Sequence, residues 1–373
     1  METRSARALA RVITLALLSV TVFAIPFSVL RAEEPDINLR PEVESPAGLR
    51  IGPRFLPISP GISAALRELL IAAPAPDVDA ARIMYPRGAD EWREINRKRD
   101  AEAAVVARAL AEAVSVEVES TTMAGIPVFW ITPPELDPRH EEQLFVHVHG
   151  GAYVLNGGEA ATMEAVMIAA SIGIRVLSID YRMAPDHPAP AAMEDVVAVW
   201  RELLDEYSST KLALGGTSAG GGLTMTSVHR FKELGLDLPG ALMVGTPASD
   251  AGYAGDTKYS NEGIDRSLVS WEGGVEEAIS LYVGDYDYTH PYVSPIYGDF
   301  TGFPPTYLIA GTRDLMLSDA VRAHRKLRAA GVEADLHVYE GHSHADYLVL
   351  WDQPDGQEHF RELKAFLLKH LEG

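Results

Sequence analysis

Cysteine is absent from all 373 residues. Its absence excludes disulfides, thiolate zinc sites, a cysteine nucleophile and a lipid-modified N-terminal cysteine. Positive charge is also scarce, with 32 Lys and Arg against 53 Asp and Glu and a formal net charge of -21. Nucleic acid and anionic lipid surfaces are both recognised by clustered basic side chains. The short run from Arg93 to Arg99 is the one cluster of that kind, so neither partner is expected, and an acidic surface of this sort mainly favours solubility. No internal repeat is apparent.

What the chain does contain is the composition of a globular protein, 47% apolar and 23% charged, long enough for a sizeable core. At the N-terminus Arg4, Arg7 and Arg11 precede an uncharged run from Val12 to Leu30, then Arg31-Ala32 and the acidic Glu33-Glu34. That order predicts a secretory signal peptide over residues 1-32, cleaved after Ala32, and a periplasmic or secreted protein without stable membrane association. The alternative is an uncleaved N-terminal membrane anchor, because the run approaches bilayer-spanning length. Residues 33-60, rich in Pro, Glu and Gly, read as a linker or draped arm. Ile62, Ala65, Leu66, Leu69 and Leu70, and later Ala104, Val105, Ala107, Leu110 and Ala111, repeat at helical spacing, which makes 33-113 a linker followed by helices.

A hairpin is expected from Val114-Glu119 and Ile126-Thr132 around Ala124-Gly125. From Leu144 onward, strand patterns alternate with helix patterns. Strands are expected at 144-148, 175-179, 212-214, 241-245, 306-310 and 334-339, with helices at 159-171, 192-206, 219-234, 318-330 and 356-371. Such alternation builds an α/β fold with a mostly parallel central sheet covered by helices on both faces. The alternation pauses over residues 247-303, where the only clear helical pattern lies near Val275-Tyr282. An excursion of that length reads as a lid or binding insertion within a domain spanning 114-373.

One stretch concentrates chemistry. In Leu212-Ala213-Leu214-Gly215-Gly216-Thr217-Ser218-Ala219-Gly220 an apolar strand breaks into glycines around a serine and resumes as a helix. Gly216, Ser218 and Gly220 satisfy G-x-S-x-G, in which small flanking residues permit a sharp turn that leaves the hydroxyl exposed above the sheet. A serine needs an imidazole to take its proton and a carboxylate to orient that imidazole. After Ser218, acidic candidates at a strand end are Asp314 and Asp319, and the histidine candidates are His342 and His344. The His147/His149 and His342/His344 pairs also have a spacing compatible with metal, but no acidic ligand motif accompanies either, so no metal or other cofactor is expected.

Taken with His149-Gly150-Gly151-Ala152-Tyr153, Asp180-Tyr181-Arg182-Met183-Ala184-Pro185 followed by His187-Pro188, and Pro291-Pro305 leading into Gly311-Thr312-Arg313-Asp314, the chain resembles the α/β-hydrolases of the hormone-sensitive-lipase-like bacterial esterase family. The likeness covers roughly residues 140-350. It implies an α/β-hydrolase fold with a helical cap, built from residues 35-113 and 247-303. It also implies a catalytic set of Ser218, Asp314 and His344, with Asp319 as a helix N-terminal charge and His344 matching the family's G-x-x-H pattern. Backbone N-H groups of Gly150, Gly151 and Ala219 would form an oxyanion hole, His149 would brace that loop, and Asp180, Arg182 and His187 would order neighbouring loops. Thr217 resembles the GTSAG branch, with a hydroxyl where many relatives carry an acid.

The implied activity is hydrolysis of small apolar esters or lactones through an acyl-enzyme on Ser218, with a small-molecule ester as partner and the oligomeric state left open, a dimer included. Activity would fall on the acid side near pH ~6 as His344 protonates. An amidase or peptidase with the same triad is an alternative, as is a ligand-binding protein on a hydrolase fold. Trp271, Tyr282, Tyr286, Tyr288 and Tyr292 make the 247-303 insertion aromatic, which suits an apolar acyl or alcohol pocket.

Overall fold

A computed structural model describes residues 55-371. The expected signal peptide and most of the expected linker lie outside the described residues. Among those described, no helix is long and apolar enough to cross a membrane.

Among the described residues three helices come first: α1 (Ala64–Ala72), α2 (Val78–Ile83) and α3 (Gly88–Ala113). The strands are β1 (Glu117–Met123), β2 (Ile126–Thr132), β3 (Leu144–Val148), β4 (Arg175–Ile179), β5 (Leu212–Thr217), β6 (Ala241–Gly245), β7 (Thr306–Gly311) and β8 (Ala334–Tyr339). They form one sheet in the order β1-β2-β4-β3-β5-β6-β7-β8. The β1/β2 and β2/β4 pairs are antiparallel, and every pairing from β4 through β3 to β8 is parallel. Between and after the strands run α4 (Thr162–Ile172), α5 (Ala191–Leu203), α6 (Ala219–Leu234), the short α7 (Thr257–Ser260), α8 (Gly274–Val283), α9 (Leu317–Ala329), the short α10 (Asp346–Val349) and α11 (Pro354–His370).

Two-residue periodicity sorts the strand side chains into two cores. Leu144, Val146 and Val148 of β3 face α5 and α6, where Trp200, Leu203, Leu223 and Phe231 are buried. Phe145, on the opposite pleat, packs with Ile168 and Ile172 of α4 and with Phe366 and Leu367 of α11. Strands β3, β5, β6 and β7 are buried along their whole length, as expected of parallel strands covered on both faces.

The hairpin departs from its expected boundaries. Helix α3 continues to Ala113, and the chain turns at Ser115 (φ 57) before β1 begins at Glu117. β1 is a sheet edge whose Glu, Ser and Thr residues are mostly exposed, so it lacks the apolar alternation that would have marked it.

The N-terminal helices and the 247-303 segment meet each other. Arg82 of α2 pairs with Glu262 at 2.7 Å and with Glu272 at 3.2 Å. Helix α1 covers α10 and the residues after it, burying Leu66 and Leu69 against Val349 and Leu350. The 247-303 segment lies on the loops that follow β7 and β8, where Asn261 Nδ2 donates to the carbonyls of Thr312 (3.2 Å) and Asp314 (2.9 Å) and Arg266 N-H donates to Ser343 Oγ (3.1 Å).

Candidate active site

Open parallel sheets gather ligands beyond the carboxyl ends of their strands, and the loops after β3, β5, β6, β7 and β8 meet there. Ser218 forms the corner between β5 and α6 at φ 63, ψ -120, a conformation costly for a residue with a side chain and sustained only by surrounding contacts. Those contacts are explicit. Ser218 N-H donates to Gly245 O at 2.8 Å, and its carbonyl accepts from Gly222 N (3.1 Å) and Ala248 N (3.0 Å). A Cβ on Gly216 would stand 1.8 Å from Val148 O, and one on Gly220 2.0 Å from the same atom. The flanking glycines therefore let the corner press against the end of β3.

His344 follows β8 and is buried. Its Nδ1-H donates to Asp314 Oδ1 at 3.1 Å. The Thr246 hydroxyl, after β6, lies 3.2 Å from the same nitrogen and donates to Asp314 Oδ2. Asp314 Oδ1 also accepts from Met316 N-H at 2.7 Å. Burial works against the charged imidazole, but the charge and hydrogen bond of Asp314, followed by the charges of Asp265 and Asp346, outweigh it and hold the His344 pKa above its ordinary 6.5.

The rival residues point elsewhere. Asp319 accepts the N-H groups of Ser249 (3.2 Å) and Asp250 (3.1 Å), lies 3.7 Å from Lys258 Nζ, and has its pKa raised to about 6, chiefly by burial. His342 meets Asp355 at 3.2 Å through Nε2. His147 has both ring nitrogens engaged, by Ser178 Oγ at 3.0 Å and Glu164 Oε2 at 3.2 Å. Among the described residues no three His, Asp or Glu side chains converge as a metal site.

On the opposite side lies the loop after β3. Gly150 and Gly151 line the same cleft as Ser218 and His344, and a Cβ on Gly150 would be 2.7 Å from Thr217 O. Ala219 opens α6 directly after the serine. His149 stacks on Tyr181 with ring centroids 4.1 Å apart, donates through Nδ1 to Gly150 O at 2.8 Å, and has its pKa brought down to about 3 by burial. Asp180 accepts Gly158 N-H at 2.9 Å, Arg182 pairs with Asp195 at 2.7 Å, and His187 is exposed.

Three contributors were not visible in the sequence. Asp265, in the 247-303 segment, is fully buried beside the His344-Asp314 pair. It accepts N-H groups from Ser267 (2.8 Å), Leu268 (3.1 Å) and Leu315 (2.9 Å), and its pKa is pushed up to about 6 by burial and then by the Asp314 charge. Asp100 accepts Asn156 N-H at 2.7 Å, while Asn156 Nδ2 donates to Gly150 O at 3.1 Å. Glu164, on α4, accepts the Thr217 hydroxyl at 2.5 Å, so a carboxylate reaches the residue before Ser218 from another helix. Asp265 and Asp100 lie in segments with no motif, and only their contacts in the folded chain distinguish them.

About 170 Å³ of the cleft is open to water-sized groups. Its walls are aliphatic and thioether side chains: Met163 and Met167 of α4, Leu268, Val275 and Ile279 of the insertion, Met316, and Leu348 and Val349 of α10. None of Trp271, Tyr282, Tyr286, Tyr288 and Tyr292 lines the cleft. Trp271 is buried against Lys258, whose Nζ sits 3.7 Å from its ring, and Tyr282 stacks on Tyr153 at 3.6 Å. Tyr286 and Tyr292 pack around His290, and Tyr288 is largely exposed. These rings support the insertion, and shorter side chains meet the cleft.

Comparison with known proteins agrees with this architecture. Residues 145-348 match a family described as having the alpha/beta hydrolase fold. A crystal structure of an esterase, E25, superposes with a TM-score of 0.85 at 50% identity over 87% of this chain and 99% of that one. An esterase from the bacterial hormone-sensitive lipase family superposes with a TM-score of 0.72 at 29% identity, covering 83% of this chain and 99% of the other. An acetyl-hydrolase of Streptomyces hygroscopicus is 27% identical over 239 residues, 64% of this chain and 78% of its own length.

Proposed function

The chain belongs to the α/β-hydrolase family, among the bacterial hormone-sensitive-lipase-like esterases, and we propose from that membership that it is a carboxylic-ester hydrolase acting through an acyl-enzyme on Ser218. The observation that carries the proposal is His344 Nδ1 bonded to Asp314 while His344 and Ser218 line one apolar cleft with Gly150 and Gly151.

In this mechanism the neutral imidazole takes the Ser218 proton at Nε2 as Oγ attacks the carbonyl carbon. Asp314, acting through Nδ1-H, fixes the tautomer and favours the imidazolium. The N-H groups of Gly150, Gly151 and Ala219 donate to the oxyanion, each worth about 3 kcal/mol in the transition state. Collapse of the tetrahedral intermediate expels the alkoxide, which takes the proton from His344. Water then repeats the cycle on the acyl-enzyme and releases the carboxylic acid. Small apolar acyl or lactone substrates suit the aliphatic walls, with helices α1 to α3 and residues 247-303 serving as a cap. Export follows from the N-terminal basic and apolar pattern, and a mature N-terminus at Glu33 would support it.

The test is covalent labelling of Ser218 by an organophosphonate, together with hydrolysis of matched p-nitrophenyl ester and anilide substrates. Labelling and ester turnover are expected, and loss of both in Ser218→Ala by on the order of 10⁴-fold. Unlabelled, folded protein would instead favour a ligand-binding role, and equal anilide turnover an amidase.

A further inference from the structure

The peptide joining Gly150 to Gly151 has its two polar ends in unlike surroundings. The Gly150 carbonyl accepts from Asn156 Nδ2 at 3.1 Å and from His149 Nδ1 at 2.8 Å, so both of its lone pairs are engaged. At the other end, the Gly151 N-H has no acceptor among the described residues, and Gly151 lines the cleft together with Ser218. This peptide is trans, and in a trans peptide the C=O and N-H point in opposite directions. The donors that hold the Gly150 carbonyl therefore set the direction of the Gly151 N-H.

Asn156 is itself fixed from outside the loop. Its backbone N-H donates to Asp100 Oδ1 of α3 at 2.7 Å, and its φ of 73 lies in the left-handed region that Asn tolerates better than most residues. The loop also closes on itself, because Gly151 O accepts from Val154 N-H (3.0 Å) and Leu155 N-H (2.9 Å). A Cβ on Gly151 would stand 2.3 Å from Leu155 O and 3.0 Å from Asn156 Nδ2, so the amide lies directly against this backbone. Asp100, Asn156 and the Gly150 carbonyl thus form one line of contacts from α3 to the loop after β3.

We propose, building on the ester-hydrolase reading, that Asn156 is a positioning residue for the oxyanion hole, its amide holding the Gly150 carbonyl so that the Gly151 N-H meets the developing oxyanion. A donor that acts on charge present only in the transition state contributes to kcat and leaves KM in place. The test compares the full-length wild type with two variants. Asn156→Asp keeps the shape but turns the donor into an acceptor, and Asn156→Gly keeps the left-handed backbone without a side chain. Turnover of p-nitrophenyl butyrate is read beside inhibition by an alkyl trifluoromethyl ketone. Ser218 Oγ adds to the ketone carbon while its proton passes to His344, which leaves an oxyanion in place of the one formed during hydrolysis. Both variants lose kcat about 10- to 100-fold with KM within about threefold, and bind the ketone more weakly by a similar factor. The loss is larger in Asn156→Asp, whose carboxylate repels the Gly150 carbonyl.

Wild-type kcat in Asn156→Gly overturns the role of Asn156 while leaving the hydrolase intact. So does a rise in KM at unchanged kcat, which would make Asn156 a substrate contact, or a fall in kcat with undiminished ketone affinity, which would place the loss elsewhere. Melting temperatures verify that folded proteins are compared, and the Gly variant carries the test if the Asp variant does not fold. A wild type that neither hydrolyses the ester nor binds the ketone removes the hydrolase reading itself.

Discussion

His344 Nδ1 and Asp314 Oδ1 stand 3.1 Å apart, with the Thr246 hydroxyl bridging the second carboxylate oxygen and the same ring nitrogen. Three strands, β6, β7 and β8, each deliver one member of this contact. Its geometry separates two histidines only two residues apart in the chain, because the other, His342, is turned toward Asp355 at 3.2 Å.

His344→Ala is therefore expected to lower kcat by on the order of 10⁴-fold or more with little change in thermal stability. His342→Ala has the reverse profile. It removes the partner of Asp355, which also accepts the Ser63 hydroxyl at 2.5 Å, and destabilises by about 1-3 kcal/mol with a far smaller effect on kcat. Steady-state kinetics and urea unfolding of both variants distinguish the two, and the opposite pattern would reassign the base.

The acid limb of the kcat/KM profile reports protonation of His344. Since Asp314, Asp265 and Asp346 together raise its pKa above 6.5 despite burial, activity halves at a pH above that value and not near 6. Asp265→Asn removes one of the negative charges that favour the imidazolium and moves the limb to lower pH. An Asp265→Asn profile that coincides with the wild type would show that this carboxylate does not act on the imidazole.

Gly216→Ala places a methyl 1.8 Å from Val148 O, and backbone must move to admit it. Displacement of the Ser218 corner by even about 1 Å is expected to reduce kcat on the order of 10²-fold, with a lowered Tm. Gly61→Ala, whose new methyl would lie 3.6 Å from its nearest neighbour, Ser59 Oγ, is the tolerated control. Equal activity in the two would remove the steric account of the motif.

Asp100 holds the loop after β3 through Asn156, and burial raises its pKa from 3.8 to about 6. Because the folded-state pKa is the higher one, its contribution to stability is complete below 3.8 and is lost as pH rises through about 6. The stability of the wild type relative to Asp100→Asn should fall between pH 4 and pH 7 by up to about 3 kcal/mol. Denaturant unfolding of both proteins across that range measures the difference, and a constant offset would place the carboxylate in a more solvated setting.

Much of the fold was legible in local pattern. Strands buried on both faces are apolar along their length, so β3, β4 and β6 begin and end where the sequence pattern predicts, and the less buried β2 and β8 and the helix α6 do so too. The edge strand β1 was displaced because its solvent-facing residues obey no such constraint. The elbow was legible for a related reason, since close backbone approach admits only glycine at 216 and 220.

The sequence by itself determined where the sheet's buried strands fall along the chain and the glycine-flanked corner at Ser218, because burial and steric exclusion act on each segment separately. Tertiary structure decided which histidine meets Asp314, that Asp265 stands behind the pair, that Glu164 reaches Thr217 from another helix, and that methionines and aliphatic residues of the helices and the insertion line the cleft while the insertion's aromatic rings pack behind it. Each of those outcomes depends on the direction of a side chain in a loop or helix relative to partners distant in the chain, and neither composition nor periodicity encodes a direction.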